Sequence, residues 1–353
     1  MPSRPSGILL AAALTRAWRH PPPPLELRTE EVEEVAPLLL GSGAGALGWW
    51  RVRNSDLRAA PAALQLRDAH RRQTIHNALT EKKIEEVFGR LRAAGIEPLL
   101  VKGWAVARLF PEEGLRPLGD IDIYVPPEHR QLAEAMGYEW GNDQQVDLQH
   151  QAFAQVPGLE WSELCSRSRL ARLGETDIRI LGPEDQLALV CLHFLCHGGW
   201  RPLWLCDIAV AHESRPPDFN WDVCLGPDRR RADWIACAVG LAHRLLGADV
   251  HETPVAWRAG NLPAWLVPAV LEQWEVPCYA DRPTMLEPLR QVLRHPAALP
   301  RALRARWPDP IQATIRMGGP FNELPRFLFQ LAEYLSHTAG FLARSAGLLR
   351  EQR

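Results

Sequence analysis

Two aspartates in the stretch GDIDIYV, Asp120 and Asp122, have a spacing that would let them act together. Successive side chains of a β-strand point to opposite faces, so a strand here places both carboxylates on one face and Ile121, Ile123 and Val125 on the other. Neighbouring carboxylates repel each other unless a cation lies between them, and oxygen ligands suit Mg²⁺ or Mn²⁺. The pattern predicts a metal site; the alternative is a solvent-facing strand end with two exposed acids.

A lysine and a glycine end the apolar run LLVKG one strand earlier, at Lys102 and Gly103. At a turn from a strand into a helix, free backbone N–H groups and the helix dipole attract a phosphate, and a lysine adds a point charge. The sequence therefore predicts a phosphate-binding turn. The alternative for the lysine is a surface residue whose aliphatic stem lies on apolar neighbours.

Three further residues complete the candidate site. Arg116 lies four residues before Asp120, close enough in a loop to reach the same ligand, although it could equally fix only the loop. Gly119 permits a close approach of backbone or ligand beside the carboxylates. Asp147, in QQVDLQHQAF, lies between apolar neighbours in a strand-like pattern and is the candidate third carboxylate, with a surface acid as the alternative.

The segments that carry these residues alternate between strand and helix patterns. IEPLLVKG and GDIDIYV are strand candidates, and WAVARLF and PEHRQLAEAMGY are helix candidates. QVDLQHQAF and TDIRIL add two more strands, and LEWSELCSRSRLARLG connects them. The expected fold is therefore α+β, with a small mixed β-sheet.

Helical patterns flank this unit on both sides. One or two long helices are expected from Pro61 to Ala94, and the chain after Pro183 is mostly helical, with a long amphipathic helix at 323–351. We therefore predict three parts, which are an N-terminal helical region at 1–94, a catalytic domain at 95–182 and a C-terminal helical domain at 183–353.

Composition restricts the class of protein. The 353 residues include 40 Lys and Arg against 42 Asp and Glu, and this balance leans against a dedicated RNA-binding protein. Seven cysteines without a Cys-x-x-Cys pair fit a reducing cytoplasm. No apolar run approaches the ~18 to 20 residues of a membrane span, and the run GILLAAAL near the start predicts a short helix packed on the body of the protein.

Histidines and tryptophans in the helical part are secondary candidates. His193 and His197 are four residues apart, a spacing that could bind zinc on a helix, although buried structural histidines explain it as well. Five tryptophans could stack on a base or a sugar, with core packing as the alternative. They are Trp200, Trp204, Trp257, Trp265 and Trp274.

Taken together, LLVKGWAVARLFPEEGLRPLGDIDIYV and the later VDL resemble the nucleotidyltransferase superfamily of DNA polymerase beta-like enzymes. They are most similar to the bacterial uncharacterised nucleotidyltransferases with a Lys-Gly step and an Arg-x-x-Gly-Asp-x-Asp motif. The resemblance covers residues 95–182 and, more loosely, the helices that follow. It implies that Lys102 and Gly103 form the triphosphate-binding turn, with Asp120, Asp122 and Asp147 as the Mg²⁺ ligands.

The implied reaction is an in-line attack of an acceptor hydroxyl on the α-phosphorus of a nucleoside triphosphate, with pyrophosphate leaving. The acceptor could be a small molecule such as a sugar or an antibiotic, a peptide side chain, or an RNA end. Two other functions remain open, a toxin-like nucleotidyltransferase that acts on tRNA and a non-catalytic ligand-binding protein of the same fold.

Two departures from the family pattern concern individual residues. The usual Gly-Ser of the superfamily is here Lys102-Gly103, which removes a serine hydroxyl that commonly contacts the terminal phosphate. The closer group tends to have a histidine soon after the third acid, and here Gln149 and His150 follow Asp147. The register of the third carboxylate therefore stays open at the level of sequence.

Overall fold

The computed structural model of the chain describes residues 4–137, 146–148, 161–275 and 307–336. Within these ranges the chain forms one β-sheet, with helices before, between and after its strands. No helix of the described ranges is both long enough and apolar enough to cross a membrane. Gln149, His150 and the predicted helix beyond residue 336 lie outside the described residues.

The strands are short. They are β1 (Leu99–Leu100), β2 (Ile121–Tyr124), β3 (Val146–Leu148), β4 (Arg169–Leu173) and β5 (Thr176–Ile180). Their order in the sheet is β3-β2-β1-β5-β4. The pairs β1–β2 and β4–β5 are antiparallel, whereas β1–β5 and β2–β3 are parallel. Because both kinds of pairing occur, the sheet is mixed, and the expected α+β fold is confirmed.

The structure adds one strand that the sequence pattern did not indicate. β4 forms a hairpin with β5 through Gly174, whose φ of 51° lies in the left-handed region that glycine adopts easily. As an edge strand, β4 buries only Ala171 and Leu173 and exposes its other side chains. Because only two apolar positions of β4 are buried, and arginines lie between and before them, the alternation typical of a strand is weak. The sequence pattern therefore indicated a connection between two strands.

Four helices precede the sheet. They are α1 (Ser6–Leu14), α2 (Thr29–Gly41), α3 (Gly45–Val52) and α4 (Pro61–Ala93). The α1 helix packs on the protein body as expected, with Leu9 and Leu14 fully buried. The α2 helix begins after Arg28, whose backbone N–H donates to the Glu31 carboxylate.

The pattern from Pro61 onward forms one continuous helix of 33 residues. Proline at its first position fits a helix start, because the missing N–H would have no helical partner there. Its C-terminal half turns Ile84, Phe88 and Leu91 toward the sheet, where all three are buried. The α4 helix therefore covers one face of the sheet.

Three short helices lie between the strands. They are α5 (Gly103–Ala107), α6 (Arg130–Gly137) and α7 (Trp161–Arg167). The helices after the sheet are α8 (Pro183–Cys196), α9 (Pro202–Glu213), α10 (Trp221–Leu225), α11 (Arg229–Leu246), α12 (Ala256–Gly260), α13 (Leu266–Trp274), α14 (Pro310–Arg316) and α15 (327–336).

The buried apolar side chains form two clusters. The smaller lies between α4 and the sheet and includes Ile121, Ile123 and Val125, the apolar face predicted for this strand. The larger joins the N-terminal helices to the helices after the sheet, and it also takes in Leu99 and Leu181 from the predicted catalytic domain. The three-domain division stays a prediction, and the larger core draws side chains from all three parts.

Candidate active site

The two aspartates of the GDIDIYV stretch lie at one edge of a cavity of about 500 Å³. Asp122 is on β2 between the fully or almost fully buried Ile121 and Ile123, so its side chain points away from the apolar core. Asp120 directly precedes β2 and is exposed. Both residues line the same cavity.

Asp147 reaches this cavity from the neighbouring strand. In the parallel pair β2–β3, Asp122 is in register with Asp147 and Ile121 with Val146. Val146 and Leu148 pack against the smaller core cluster, and Asp147 is exposed and lines the cavity. Adjacent strands lie about 4.8 Å apart, so aligned residues of the same orientation have neighbouring side chains. The pairing of β2 with β3 therefore aligns Asp147 with Asp122, and the role of Asp147 as the third carboxylate stays a prediction.

Lys102 links the turn after β1 to the carboxylates. Its Nζ lies 3.2 Å from Asp122 Oδ1, and the two side chains are 17% and 15% exposed. The backbone of Lys102 has φ 57° and ψ −141°, a conformation that is rare for a residue other than glycine. Such positions cost on the order of 1 to 3 kcal/mol and are commonly found at functional sites.

Gly103 and Gly119 leave space beside the carboxylates. A Cβ atom on Gly103 would lie 3.7 Å from the backbone oxygen of Asp120, and one on Gly119 would have no heavy atom within 4 Å. Both glycines line the cavity. A ligand can therefore approach the backbone closely at both positions.

The pKa of Asp122 is raised, chiefly by burial. Burial raises the pKa of Asp122, the ammonium of Lys102 lowers it, and the carboxylates of Asp147 and Asp120 raise it further, with a net upward shift. The Lys102 ammonium alone therefore does not offset the upward effect of burial and carboxylate repulsion on the pKa of Asp122. A bound cation would lower this pKa further.

Metal-ligand geometry is not preassembled in this arrangement. No three His, Cys, Asp or Glu side chains of the described ranges are grouped closely enough to hold a metal ion. Asp122 instead contacts Lys102. The prediction of Mg²⁺ or Mn²⁺ therefore depends on the kind and number of the donors that line the cavity, and not on an assembled ligand geometry.

Arg116 has the loop-fixing role that was one of its two predicted alternatives. Its guanidinium donates to both carboxylate oxygens of Asp207 on α9, at 3.2 and 2.9 Å, and Nη1 donates to the Pro117 carbonyl at 2.7 Å. Asn77 on α4 holds the same loop from the other side, since its side chain bonds Arg116 O and Leu118 N. The loop before Asp120 is thus fixed between α4 and α9, and contact of Arg116 with a ligand stays a prediction.

The opposite wall of the cavity comes from α8, α9 and the turn between them, which carry the secondary candidates His193, His197 and Trp204. Gly198 and Gly199, both with left-handed φ, end α8 and turn the chain into α9. Seven residues of this wall line the cavity. They are Leu189, Val190, His193, His197, Arg201, Trp204 and Asp207.

His193 and His197 form an aromatic cluster with Trp204. The imidazole rings are 4.5 Å apart, and the Trp204 ring is 4.4 Å from that of His193. Burial lowers the pKa of both histidines, and the Lys102 ammonium lowers it further, so both imidazoles are neutral at neutral pH. The described residues supply no third ligand that would make this pair a zinc site.

The five candidate tryptophans differ in their surroundings, and Trp257 is largely exposed. Trp204 is the one of the five candidates that lines the cavity. Trp274 is buried and donates to the Gly199 carbonyl at 2.9 Å, and Trp265 donates to the Asn322 carbonyl at 2.8 Å. His193, His197 and Trp204 were secondary candidates in the sequence, whereas Arg201 and Asp207 of the same wall carried no local signal.

Comparison with known proteins places the chain in a family. The model of the uncharacterised nucleotidyltransferase family matches residues 31–246, more than half of the chain. Searches among curated proteins and among solved structures gave no match. The matched segment runs from α2 to the end of α11, so it contains the sheet, the three aspartates and both walls of the cavity. The resemblance in the sequence is thereby confirmed for the family, and this chain belongs to the uncharacterised nucleotidyltransferases.

Proposed function

We propose that this protein is a metal-dependent nucleotidyltransferase that moves a nucleoside monophosphate from a nucleoside triphosphate to an acceptor hydroxyl. The observation that carries the proposal is the alignment of Asp122 with Asp147 on adjacent strands, with Asp120 beside them in one cavity. The Lys102-Gly103 turn lies at the same cavity. Carboxylates and a phosphate-binding turn are the two parts that nucleotidyl transfer requires.

The triphosphate is assigned to the Lys102 side of the cavity. An ammonium group has three N–H donors, so Lys102 can remain near Asp122 and also donate to a phosphate oxygen. Gly103 leaves the backbone accessible, and the open space beside Gly119 lets the phosphates come close to the carboxylates. These residues bind and orient the leaving pyrophosphate.

The donor set suits Mg²⁺ or Mn²⁺. Three carboxylates line one cavity, and Asp122 among them has a pKa raised chiefly by burial, so a divalent cation drawn between them would stabilise their ionised form. When bound, the metal supplies charge neutralisation at the phosphorus and at the attacking and leaving oxygens. Asp120, Asp122 and Asp147 would hold it.

The acceptor hydroxyl is assigned to the Asp147 side. Asp147 is exposed, so it can approach a hydroxyl from solution and lower the free energy needed to remove its proton. The rings of His193, His197 and Trp204 contact one another and form an aromatic surface on the α8–α9 side of the same cavity. Sugars, antibiotics, peptides and RNA ends all remain candidate acceptors.

The test is to incubate the purified protein with each labelled nucleoside triphosphate, Mg²⁺ or Mn²⁺ and cell extract, and to identify the labelled product by mass. Asp122→Asn should give no product. Asp177→Asn, at an exposed position of β5 outside the cavity, is the matched control and should retain activity. Nucleotide binding without any labelled product would favour the non-catalytic alternative, and labelled tRNA would favour the toxin-like one.

A further inference from the structure

Arg201 differs from the other cations of the cavity in its surroundings. It lies at the start of α9, lines the cavity and is mostly buried. Lys102 and Arg116, the other two lining cations, each contact a carboxylate, namely Asp122 and Asp207. Within the described part of the chain, no carboxylate lies within ion-pair distance of the Arg201 guanidinium.

The orientation of this guanidinium is fixed before any ligand binds. Its Nε donates to the Ser42 carbonyl at 2.8 Å, and its plane lies near the Trp204 and Trp200 rings, at 5.4 and 5.9 Å from their centroids. Gly43 leaves room for Nη2, since a Cβ there would lie 2.6 Å from that nitrogen. With Nε used and the aromatic rings alongside, the Nη groups remain to donate to a ligand.

The charge of Arg201 is only weakly compensated. Burial and the Arg116 cation lower its pKa, Asp207 raises it in part, and the net result is a pKa of about 10. Asp207 already accepts two hydrogen bonds from Arg116. An oxyanion in the cavity would supply the missing countercharge.

Arg201 and Lys102 are held by different parts of the structure. Arg201 directly precedes α9 and donates to the Ser42 carbonyl, whereas Lys102 follows β1 and contacts Asp122 on β2. Under the proposed function the Lys102-Gly103 turn binds the leaving pyrophosphate, and in an in-line transfer the acceptor enters opposite that group. Arg201 is then the lining cation that remains for the acceptor.

We propose that Arg201 binds an oxyanion of the acceptor, a phosphate or a carboxylate group, so that the acceptor is an anionic molecule. The proposal rests on the proposed function, because the cavity is an acceptor site only if the chain transfers nucleotides. It excludes neutral sugars and favours phosphorylated or carboxylated acceptors, with the Nη groups donating to the anion and Trp204 beside the rest of the molecule.

The test uses inorganic phosphate and acetate as separate probes, titrated by calorimetry into the whole protein with and without a saturating non-hydrolysable nucleoside triphosphate analogue and Mn²⁺. The variants are Arg201→Gln and Arg201→Lys. The matched control is Arg215→Gln, because Arg215 also lies beside an indole ring, donates to a backbone carbonyl and has a pKa lowered by burial, but does not line the cavity. Near-ultraviolet circular dichroism checks that each variant is folded.

At least one probe should bind the wild type also when the nucleotide analogue is present. Arg201→Gln should weaken that binding by about tenfold or more, Arg201→Lys should weaken it less, and Arg215→Gln should not change it. Binding of phosphate alone indicates a phosphorylated acceptor, and binding of acetate indicates a carboxylate.

Two results would overturn the proposal. Equal anion affinity in the wild type and Arg201→Gln would show that Arg201 binds no anion. Complete displacement of the anion by the nucleotide analogue in the wild type would assign Arg201 to the triphosphate. If the analogue itself fails to bind, the proposed function fails, whereas the titration without nucleotide still decides whether Arg201 binds an anion.

Discussion

At Asp122, the effect of the Lys102 ammonium on the pKa opposes the effects of burial and of the neighbouring carboxylates. Burial and the carboxylates of Asp147 and Asp120 raise its pKa, against the effect of the Lys102 ammonium 3.2 Å away. A carboxyl group whose pKa is higher in the folded than in the unfolded chain contributes stability at low pH, and this contribution is lost as the pH rises through the folded-state pKa. Without a cation, ionised Asp122 therefore destabilises the folded chain at neutral pH.

Replacing Asp122 by Asn should abolish nucleotide transfer and leave the free energy of unfolding at pH 7 unchanged or higher. The reason is that the substitution removes a metal donor together with a repelled carboxylate. Chemical denaturation from pH 4 to pH 7 should show a smaller decrease in stability with rising pH than in the wild type. Full transfer activity in Asp122→Asn would contradict the role of this residue as a metal ligand.

Lys102 contributes a charge and also a strained backbone, and the two can be separated. Lys102→Ala and Lys102→Gly both remove the ammonium, so each should weaken nucleotide binding by ~1.5 to 3 kcal/mol, the typical worth of a charge-assisted contact. Glycine tolerates a φ of 57°, so Lys102→Gly should be more stable than Lys102→Ala by about 1 kcal/mol. Calorimetry with Mg²⁺ and thermal unfolding measure the two effects.

Unchanged nucleotide affinity in both Lys102 variants would show that the turn has only a structural role and does not bind the triphosphate. A bulky residue at the next position offers an independent check, because Gly103→Val places a branched side chain beside the Asp120 backbone at a φ of 38°.

At the scale of the elements, the loop between α5 and β2 positions the carboxylates. The Arg116–Asp207 pair fixes it to α9 and Asn77 fixes it to α4, so Asp120 enters β2 from a rigid segment. Both side chains of the ion pair are less than one tenth exposed. A pair this deeply buried contributes chiefly to positioning, because desolvation offsets much of the attraction between its charges.

Asp207→Asn should therefore lower the free energy of unfolding by about 3 to 5 kcal/mol, because it leaves the Arg116 charge buried without its partner. The double variant Arg116→Met with Asp207→Leu removes both charges and should recover much of that loss. Denaturant unfolding of the single and the double variant measures both values. The surface substitution Asp222→Asn serves as the control, and an equally small effect for Asp207→Asn would show that the pair does not fix the loop.

Local patterns in the sequence predict this region only where one element determines the outcome. The alternation in GDIDIYV predicted Asp122 and its apolar neighbours, whereas Asp120 precedes β2 and does not lie on it as predicted. The helix around Phe88 followed from its 3.6-residue period. The partner of Arg116 is 91 residues away, so no local pattern could choose between its two roles.

The second wall of the cavity shows the same limit. His193, His197 and Arg201 meet the carboxylates only because α8 and α9 pack against the N-terminal helices and the loop before β2, as the contacts of Arg201 with Ser42 and of Asp207 with Arg116 show. A helical period states which face of a helix is buried, but not what it is buried against. The predicted catalytic residues therefore cover the sheet side of the cavity and omit its helical side.

At the scale of the whole molecule, the larger core cluster joins regions far apart in the chain. Leu9 and Leu14 of α1, Trp50 of α3 and Phe194 of α8 are buried in it, together with Leu99 of β1. The sheet segment thus shares its apolar surface with helices on both sides. A segment that buries its apolar side chains against the rest of the chain exposes them when it is isolated.

The fragment 95–182 should accordingly not fold by itself, although the sequence pattern marks it as the catalytic domain. Circular dichroism and hydrogen exchange should show an unfolded fragment without cooperative unfolding, in contrast to the full chain. Leu14→Ala in the full chain is a milder check and should lower the free energy of unfolding by about 2 to 5 kcal/mol through the cavity it creates. A fragment with a cooperative transition would support the three-domain division.

The two walls of the cavity come from different stretches of the chain, the carboxylates from residues 102–147 and the aromatic and arginine wall from 193–207. Under the proposed function, this separates the chemistry that all substrates share from the surface that selects among them. Acceptor preference can then diverge through substitutions on α8 and α9 while the transfer chemistry on the sheet stays intact. Exchanging that helical pair between members of the family is therefore a direct route to redirecting which molecule receives the nucleotide.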